Sequence, residues 1–424
     1  MSLDGMKQRL GREWFGWHRA MLSLMAALMT TMALHAPAHA QKAEGLALTP
    51  QMGWNSWNKF ACDVNEQLIR ETADAMVSSG LRDAGYQYIN IDDCWQGTRD
   101  AQGFMRPDPV RFPGGMKALA DYVHARGLKF GLYSDAGWKT CGERPGSRGY
   151  EFQDARTYAE WGVDYLKYDW CFTDGLKAEG AYLTMSEALR QSGRPILFSL
   201  CEWGNSKPWE WASKVGHSWR TTGDIFNCFD CIEDHGDWKA FGVLQIMDMQ
   251  AHLRAYAGPG RWNDADMLEV GNGMPAHQAR AHFSIWAMLA SPLIAGNDLR
   301  RMDAETLSIL GHRPVIAVNQ DALGVPGWRH TAEDGVEQWW RPMANGDWVV
   351  MLLNRNKQPH AARLDWAKLA VTDSVSGRSA DFTGAGYRWQ NLWQPAQRGT
   401  TAQPLSVNLP AQDVLMLRLA RAPR

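Results

Sequence analysis

Carboxylates gather at the ends of short apolar runs in this chain, an arrangement that suits acid–base or nucleophilic chemistry. The runs end in Asp92-Asp93-Cys94-Trp95, Tyr133-Ser134-Asp135, Lys167-Tyr168-Asp169, Cys201-Glu202-Trp203 and Arg220-Thr221-Thr222-Gly223-Asp224, and a further run carries Asn263, Asp264 and Asp266. One such carboxylate is as readily a helix cap as a reacting group, because its oxygens satisfy the free N–H groups of a following helix. Several converging with a Lys and an Arg are not explained by capping. Two reaction classes use that inventory. Metal-assisted hydrolysis or isomerisation takes His among its ligands, and past residue 40 the chain has neither HExxH nor an H-x-H after the first run. Glycosidic cleavage takes a carboxylate pair, one to attack the anomeric carbon or activate water and one to protonate the leaving oxygen. It also takes carboxylates, cations and aromatic faces to hold hydroxyls. The residues fit the second class, with no metal and no other cofactor expected.

Other chemistries lack their signatures: there is no Walker motif, no G-x-S-x-G and no evident Ser/His/Asp set. Cys228-Phe229-Asp230-Cys231 is a lone C-x-x-C and reads as a loop disulfide, since a zinc site needs a second ligand pair. His217, His252, His277 and His282 read as structural. Trp is abundant, 22 against 11 Tyr and 13 Phe, so beyond filling the core a few are expected to offer flat faces for sugars.

The elements that must position these groups follow from the runs themselves: Met52-Gly53-Trp54, Tyr86 to Ile91, Lys129 to Tyr133, Val163 to Tyr168, Pro195 to Leu200, His217 to Thr221, Arg261 to Met267 and Pro292 to Gly296. Helical patterns lie between them. Asn65 to Ser79 places Leu68, Ile69, Ala73, Met76 and Val77 on one face, and Met116 to Arg126 does the same with Leu119, Ala120 and Val123 before Gly127. Eight strands alternating with helices predict an α/β fold, a closed (β/α)8 TIM barrel whose active site lies at the C-terminal strand ends. Past Asn319-Gln320-Asp321 the texture changes. Val336 to Arg341, Asp347 to Leu353, Ala362 to Leu364 and Val414 to Leu419 are short and half-alternating, as in an antiparallel β-sandwich. The expected division is a catalytic barrel over 41–323 and a C-terminal sandwich over 324–424, with the boundary near Gly324.

A basic stretch through Arg19, the apolar run Ala20 to Leu34 and the small-x-small site Ala38-His39-Ala40 predict a signal peptide over 1–40 and an exported protein, periplasmic or extracellular, starting at Gln41. No later segment is long and apolar enough to cross a bilayer. Seven cysteines make disulfides expected in that setting, with at least one thiol left over. The 44 Lys and Arg against 46 Asp and Glu give a net charge of −2, which provides no basic field for nucleic acid or anionic lipid. With 45% hydrophobic and 21% charged residues the composition is that of a globular protein, so disorder is ruled out.

At these residues the chain resembles the alpha-galactosidases of glycoside hydrolase family 27, the melibiase family, from about Leu46 to Asp321 and more weakly in the sandwich. The motifs that carry the likeness are Met52-Gly53-Trp54-Asn55-Ser56-Trp57, Ile91-Asp92-Asp93-Cys94-Trp95, Tyr165-Leu166-Lys167-Tyr168-Asp169, Cys201-Glu202-Trp203-Gly204, Trp219-Arg220-Thr221-Thr222-Gly223-Asp224 and Trp262-Asn263-Asp264-Ala265-Asp266-Met267. The resemblance implies a retaining double displacement in which Asp169 attacks the anomeric carbon and Asp224 protonates the leaving group and then activates water. It implies that Asp92 and Asp93 accept from the 4- and 6-hydroxyls and that Lys167 donates on the 3-/4-hydroxyl side. Arg220 with Cys201, Glu202 and Trp203 would surround the 2-hydroxyl, and Trp57, Tyr133 and Asp266 would complete the wall. Relatives that cleave N-acetylgalactosamine need small residues where Glu202 and Trp203 stand, so bulk here favours a free 2-hydroxyl.

Disulfides Cys62–Cys94 and Cys141–Cys171 carry over by position, each tying a loop to a site strand, and Cys201 is left as the odd thiol. Trp170 and the segment from Cys228/Cys231 to Met249 depart from the family pattern. The expected partner is a carbohydrate substrate, an oligosaccharide or a polymer such as galactomannan. Three rivals remain. A beta-L-arabinopyranosidase of the same family is opposed by the Asp92-Asp93 pair, a non-catalytic sugar-binding barrel by Asp169 and Asp224, and a metal-dependent isomerase by the lack of a His-bearing ligand set.

Overall fold

The computed structural model describes residues 42–383 and 386–422; the expected signal peptide lies outside them. Eight short strands share one parallel sheet: β1 (Met52–Asn55), β2 (Tyr88–Asn90), β3 (Lys129–Asp135), β4 (Tyr165–Asp169), β5 (Leu197–Leu200), β6 (Ser218–Arg220), β7 (Trp262–Asp264) and β8 (Leu293–Ala295). Their order is β7-β6-β5-β4-β3-β2-β1-β8. The curl closes past the end of β7, where Leu268 donates its N–H to the Ile294 carbonyl at 2.7 Å and bridges Ala295. This is the expected TIM barrel. The runs are continuously apolar because both faces of a barrel strand are buried, one by the packed interior and one by the helices.

Helices follow the strands as the periodicity requires. Glu66–Ser78 begins at Asn65, whose side chain accepts the Leu68 N–H at 2.9 Å, and it buries Leu68, Ile69, Ala73 and Met76. Val77 stays half-buried. Gly115–His124 buries Met116, Leu119, Ala120 and Val123. Two connections depart from the regular unit. After β5 the helix shrinks to one turn, Pro208–Trp211, and after β6 a hairpin of Ile232–Asp234 and Lys239–Phe241 precedes the helix Val243–Gln250.

Several expected strands are shorter than their apolar runs, for identifiable reasons. Tyr86 and Val163 still belong to helix ends, their N–H groups closing onto Leu81 and Tyr158 after Gly85 and Gly162 turn the chain at positive φ. The run from Arg261 to Met267 is broken after Asp264, because Asp266 at φ +79° leaves the ladder.

The C-terminal region is antiparallel, as expected. Its main sheet runs Trp328–Glu333, Val336–Pro342, Trp348–Asn354, Val414–Arg421, Tyr387–Asn391 and Arg398–Thr400, in that spatial order. Residues of one face, including Trp339, Val349, Met351 and Met416, join the core that also holds the barrel helices. Trp340, Val350, Leu352 and Leu417 on the other face pack with Leu364, Val371 and Leu409 from two smaller ribbons. The sheet therefore fixes the sandwich to the barrel on one side and forms its own core on the other.

Candidate active site

At the C-terminal mouth of the barrel a cleft is lined by Trp57, Asn58, Asp92, Asp93, Tyr133, Cys141, Lys167, Asp169, Trp203, Arg220, Asp224, Asp266 and Met267. Ten of the twelve expected catalytic and binding residues therefore meet in one place, drawn from seven strand ends.

Asp92 follows β2 and is 2% exposed. Its Oδ2 receives the Asn55 amide at 2.7 Å and the Lys167 ammonium at 2.9 Å, while its own N–H is held by Ser56 Oγ at 3.0 Å. Burial alone would neutralise Lys167, but Asp92 and the surrounding acidic groups push it well above its ordinary value, so the ammonium stays charged. Asp93 turns the other way. Its Oδ1 accepts the Cys94 N–H and its Oδ2 the Gly142 N–H, both at 2.6 Å, and burial raises its carboxyl despite those bonds. Gly142 must be glycine, because a Cβ there would stand 2.8 Å from Cys94 Sγ and 3.0 Å from Asp93 Oδ2.

Asp169 ends β4. Its Oδ2 accepts from the Tyr133 hydroxyl at 2.9 Å and its Oδ1 from the Trp170 N–H at 3.0 Å. Burial pushes its carboxyl up to about 7, opposed by Lys167 and the Tyr133 hydrogen bond and reinforced by the charge of Asp224. The two carboxylates thus lie within electrostatic reach of each other. Behind Asp169, its ladder partner Asp135 is fully buried and pushed up to about 9 by burial and by the Asp169 charge.

Arg220 at the end of β6 is a hub. Its Nη2 lies 2.7 Å from Asp266 Oδ2 and 3.1 Å from Asp224 Oδ1, and it also donates to the Thr222 and Gly223 carbonyls at 3.1 and 2.9 Å. Asp266 in turn accepts the Ile225 N–H at 2.8 Å, so one buried ion pair fixes the loop that carries Asp224. The Asp224 side chain is 42% exposed, in contrast to the 6% of Asp169. Both carboxylates are hydrogen-bonded, but one is nearly buried and the other open to solvent.

Two expected residues sit elsewhere. Cys201 is a buried free thiol beneath the cleft floor, 3.8 Å from Arg220 Nη1, and burial keeps it protonated. Glu202, 1% exposed, folds back so that its Oε2 takes the Ser206 N–H at 2.6 Å and hydroxyl at 2.8 Å, and it does not line the cleft. Its neighbour Trp203, at φ +58°, does. Asn58, Cys141 and Met267 line the cleft without having been singled out as binding residues. Met267 was legible as the end of its motif and Cys141 as a partner of Cys171, whereas nothing in the sequence marks Asn58.

The structure holds the pairs Cys62–Cys94, Cys141–Cys171 and Cys228–Cys231. Among the described residues Asp135, Cys141 and Cys171 bring three potential metal-ligand atoms together, but both sulfurs are committed to a disulfide and are not thiolates.

Comparison with known proteins agrees with this geometry. The family profile described as alpha galactosidase A matches residues 49–321, and that of the alpha galactosidase C-terminal beta sandwich domain matches residues 333–419. Alpha-galactosidase A of Cellvibrio japonicus is 54% identical over 402 residues, 95% of this chain and 99% of that protein. The crystal structure of alpha-galactosidase I from Mortierella vinacea superposes with a TM-score of 0.83 at 39% identity, covering 89% of this chain and 98% of its own. An alpha-galactosidase from Saccharomyces cerevisiae solved with raffinose gives a TM-score of 0.83 at 33% identity, covering 91% of this chain and 100% of its own. A barrel mouth with this polar lining and relatives matching along both domains identify the chain as an alpha-galactoside hydrolase that belongs to the alpha-galactosidase family, glycoside hydrolase family 27.

Proposed function

We propose that the enzyme releases terminal alpha-linked galactose by a retaining double displacement, with Asp169 as nucleophile and Asp224 as acid and base. The observation that carries this reading is that Asp169 and Asp224 line one cleft, since glycosidic cleavage needs two carboxylates flanking one anomeric centre, and the family resemblance supplies their roles and the retaining outcome. Tyr133 and the Trp170 N–H hold Asp169 so that one oxygen can reach the anomeric carbon. The exposure of Asp224 supports its role toward a leaving oxygen and later a water. A panel of p-nitrophenyl glycosides tests the assignment: the alpha-galactoside is expected to be the best substrate, and preference for the beta-L-arabinopyranoside would overturn it.

Ionised Asp169 is the reacting form, so kcat/KM of the free enzyme falls as pH drops through its pKa. Tyr133→Phe removes a hydrogen bond that favours the charged carboxylate, and the acid limb should move upward by about one pH unit, the equivalent of a charged hydrogen bond of ~1.4 kcal/mol. A limb that stays in place would show that Tyr133 does not tune the reacting group.

We assign Asp92 and Asp93 to the 4- and 6-hydroxyls, with Asp93 reading C6, and Lys167 to the 3-/4-hydroxyl side. Each Asp93 oxygen takes one backbone N–H and the Thr140 side chain adds a further bond, which still leaves a lone pair for a sugar. Asp93→Ile should narrow the ratio of kcat/KM for alpha-galactoside over beta-L-arabinopyranoside by roughly 10- to 150-fold, corresponding to a charged hydrogen bond of about 1.5–3 kcal/mol. An unchanged ratio would show that Asp93 does not read C6.

Short galactose-bearing oligosaccharides and galactomannan branches are the proposed substrates, the former supported by the yeast relative solved with raffinose. Three disulfides favour an oxidising compartment and hence export, after cleavage before Gln41. No helix among the described residues is long and apolar enough to cross a membrane.

A further inference from the structure

The segment that follows Asp224 forms a hairpin beside it. The chain runs from Asp224 through the disulfide-bonded turn Cys228–Cys231 into the hairpin of Ile232–Asp234 and Lys239–Phe241. Its return strand is fastened to the acid loop: the Phe241 N–H donates to the Asp224 carbonyl at 2.8 Å, and Phe241 bridges Ile225. Gly223 packs so closely that a Cβ there would meet the Lys239 carbonyl at 2.8 Å and the Phe241 ring at 2.9 Å.

At the hairpin turn the rings of His235 and Trp238 stack, with centroids 4.0 Å apart and planes 15° from parallel. Trp238 is 53% exposed, although it immediately precedes the residue that packs on Gly223. One face of the indole is thus propped by the imidazole. The ring gains little from core packing, and a disulfide and a strand pairing hold the turn that carries it.

Chemistry fixes what would meet this ring. The group that leaves is bonded to the oxygen that Asp224 protonates, so it lies on the Asp224 side of the cleft. A pyranose presents a flat face of C–H groups that packs on an indole, with hydroxyls at its edge for polar neighbours. Glu233 and Asp237 are exposed acceptors on the same hairpin, and with Asp230 and Asp234 they make the loop acidic, which favours a neutral sugar over an anionic one.

We propose that the His235–Trp238 stack is a platform for the leaving sugar, binding the neutral pyranose next to the terminal galactose of an oligosaccharide or galactomannan branch. This rests on the reading of Asp224 as the acid and base.

The test compares Trp238→Ala with wild type on raffinose, on a galactosyl-mannotriose and on alpha-galactosyl fluoride, which has no leaving sugar. The expected result is a roughly 10-fold fall in kcat/KM on at least one oligosaccharide, carried by KM, with fluoride turnover unchanged and most of the loss restored in Trp238→Phe. Equal losses on all three donors, or no loss on either oligosaccharide, would overturn the proposal. Failure of the underlying reading shows separately, as an Asp224→Ala enzyme that azide does not rescue.

Discussion

Asp169→Asn should lower kcat by about 10⁴-fold or more, the scale on which loss of a catalytic nucleophile is felt, while the protein stays folded. The amide matches the carboxylate in shape: its oxygen can still accept the Trp170 N–H at the Oδ1 position, and its NH2 at the Oδ2 position can donate to the Tyr133 hydroxyl oxygen, so both contacts survive with one reversed in direction. It cannot displace a leaving group to give a glycosyl ester. The substitution also removes a negative charge from a site that resists it, since burial and Asp224 both oppose ionisation there. Thermal unfolding of the variant is therefore expected at or above the wild-type temperature. A variant that retains substantial activity would remove Asp169 from the chemistry.

Asp224→Ala should show a loss that depends on the leaving group. Proton donation by a positioned acid contributes about 10²- to 10⁴-fold, and that contribution vanishes as the leaving oxygen becomes acidic enough to depart unaided. Glycosylation by a dinitrophenyl galactoside should thus be nearly spared, while oligosaccharide cleavage collapses. With such a donor the second step becomes limiting, because no base activates water. Azide needs no base, so it should restore turnover and yield a galactosyl azide of retained configuration. An inverted azide would rule out two displacements. Asp224 is half open to solvent and contacts Arg220 through one oxygen, so its removal leaves the Arg220–Asp266 pair in place.

The barrel was legible because its strands are buried on both faces and therefore stand out as β-branched and aromatic runs such as Tyr88-Ile89-Asn90 and Tyr165 to Asp169, each ending in polar residues. The strand limits were not, because Asp266 adopts φ +79°, a conformation that Asp enters more readily than most residues but that most Asp residues do not take, so residue type alone does not mark the break. In the sandwich the half-alternation has a structural cause. Trp339 enters the barrel-side core and Trp340 the sandwich core, so successive residues of one strand are both apolar.

The site was legible residue by residue because its motifs sit at strand ends, yet two placements depended on the fold. Glu202 turns onto Ser206, four residues on, because a backbone N–H and a hydroxyl there meet its carboxylate, a choice of rotamer that sequence does not record. The hairpin after β6 had no readable signature. Its strands have three residues each and all of Ile232–Asp234 is exposed, so no apolar periodicity can arise.

The central claim is that Asp169 becomes covalently linked to the sugar. Wild-type enzyme incubated with an activated 2-deoxy-2-fluoro-galactosyl donor slows at the glycosyl-enzyme stage, because fluorine destabilises both oxocarbenium-like transition states while the good leaving group still permits the first step. Intact mass spectrometry should show one added fluorosugar, and proteolysis should place it on the peptide that contains Asp169. Label on a peptide carrying Asp224 or another carboxylate, or no label together with an inverted product, would contradict the account.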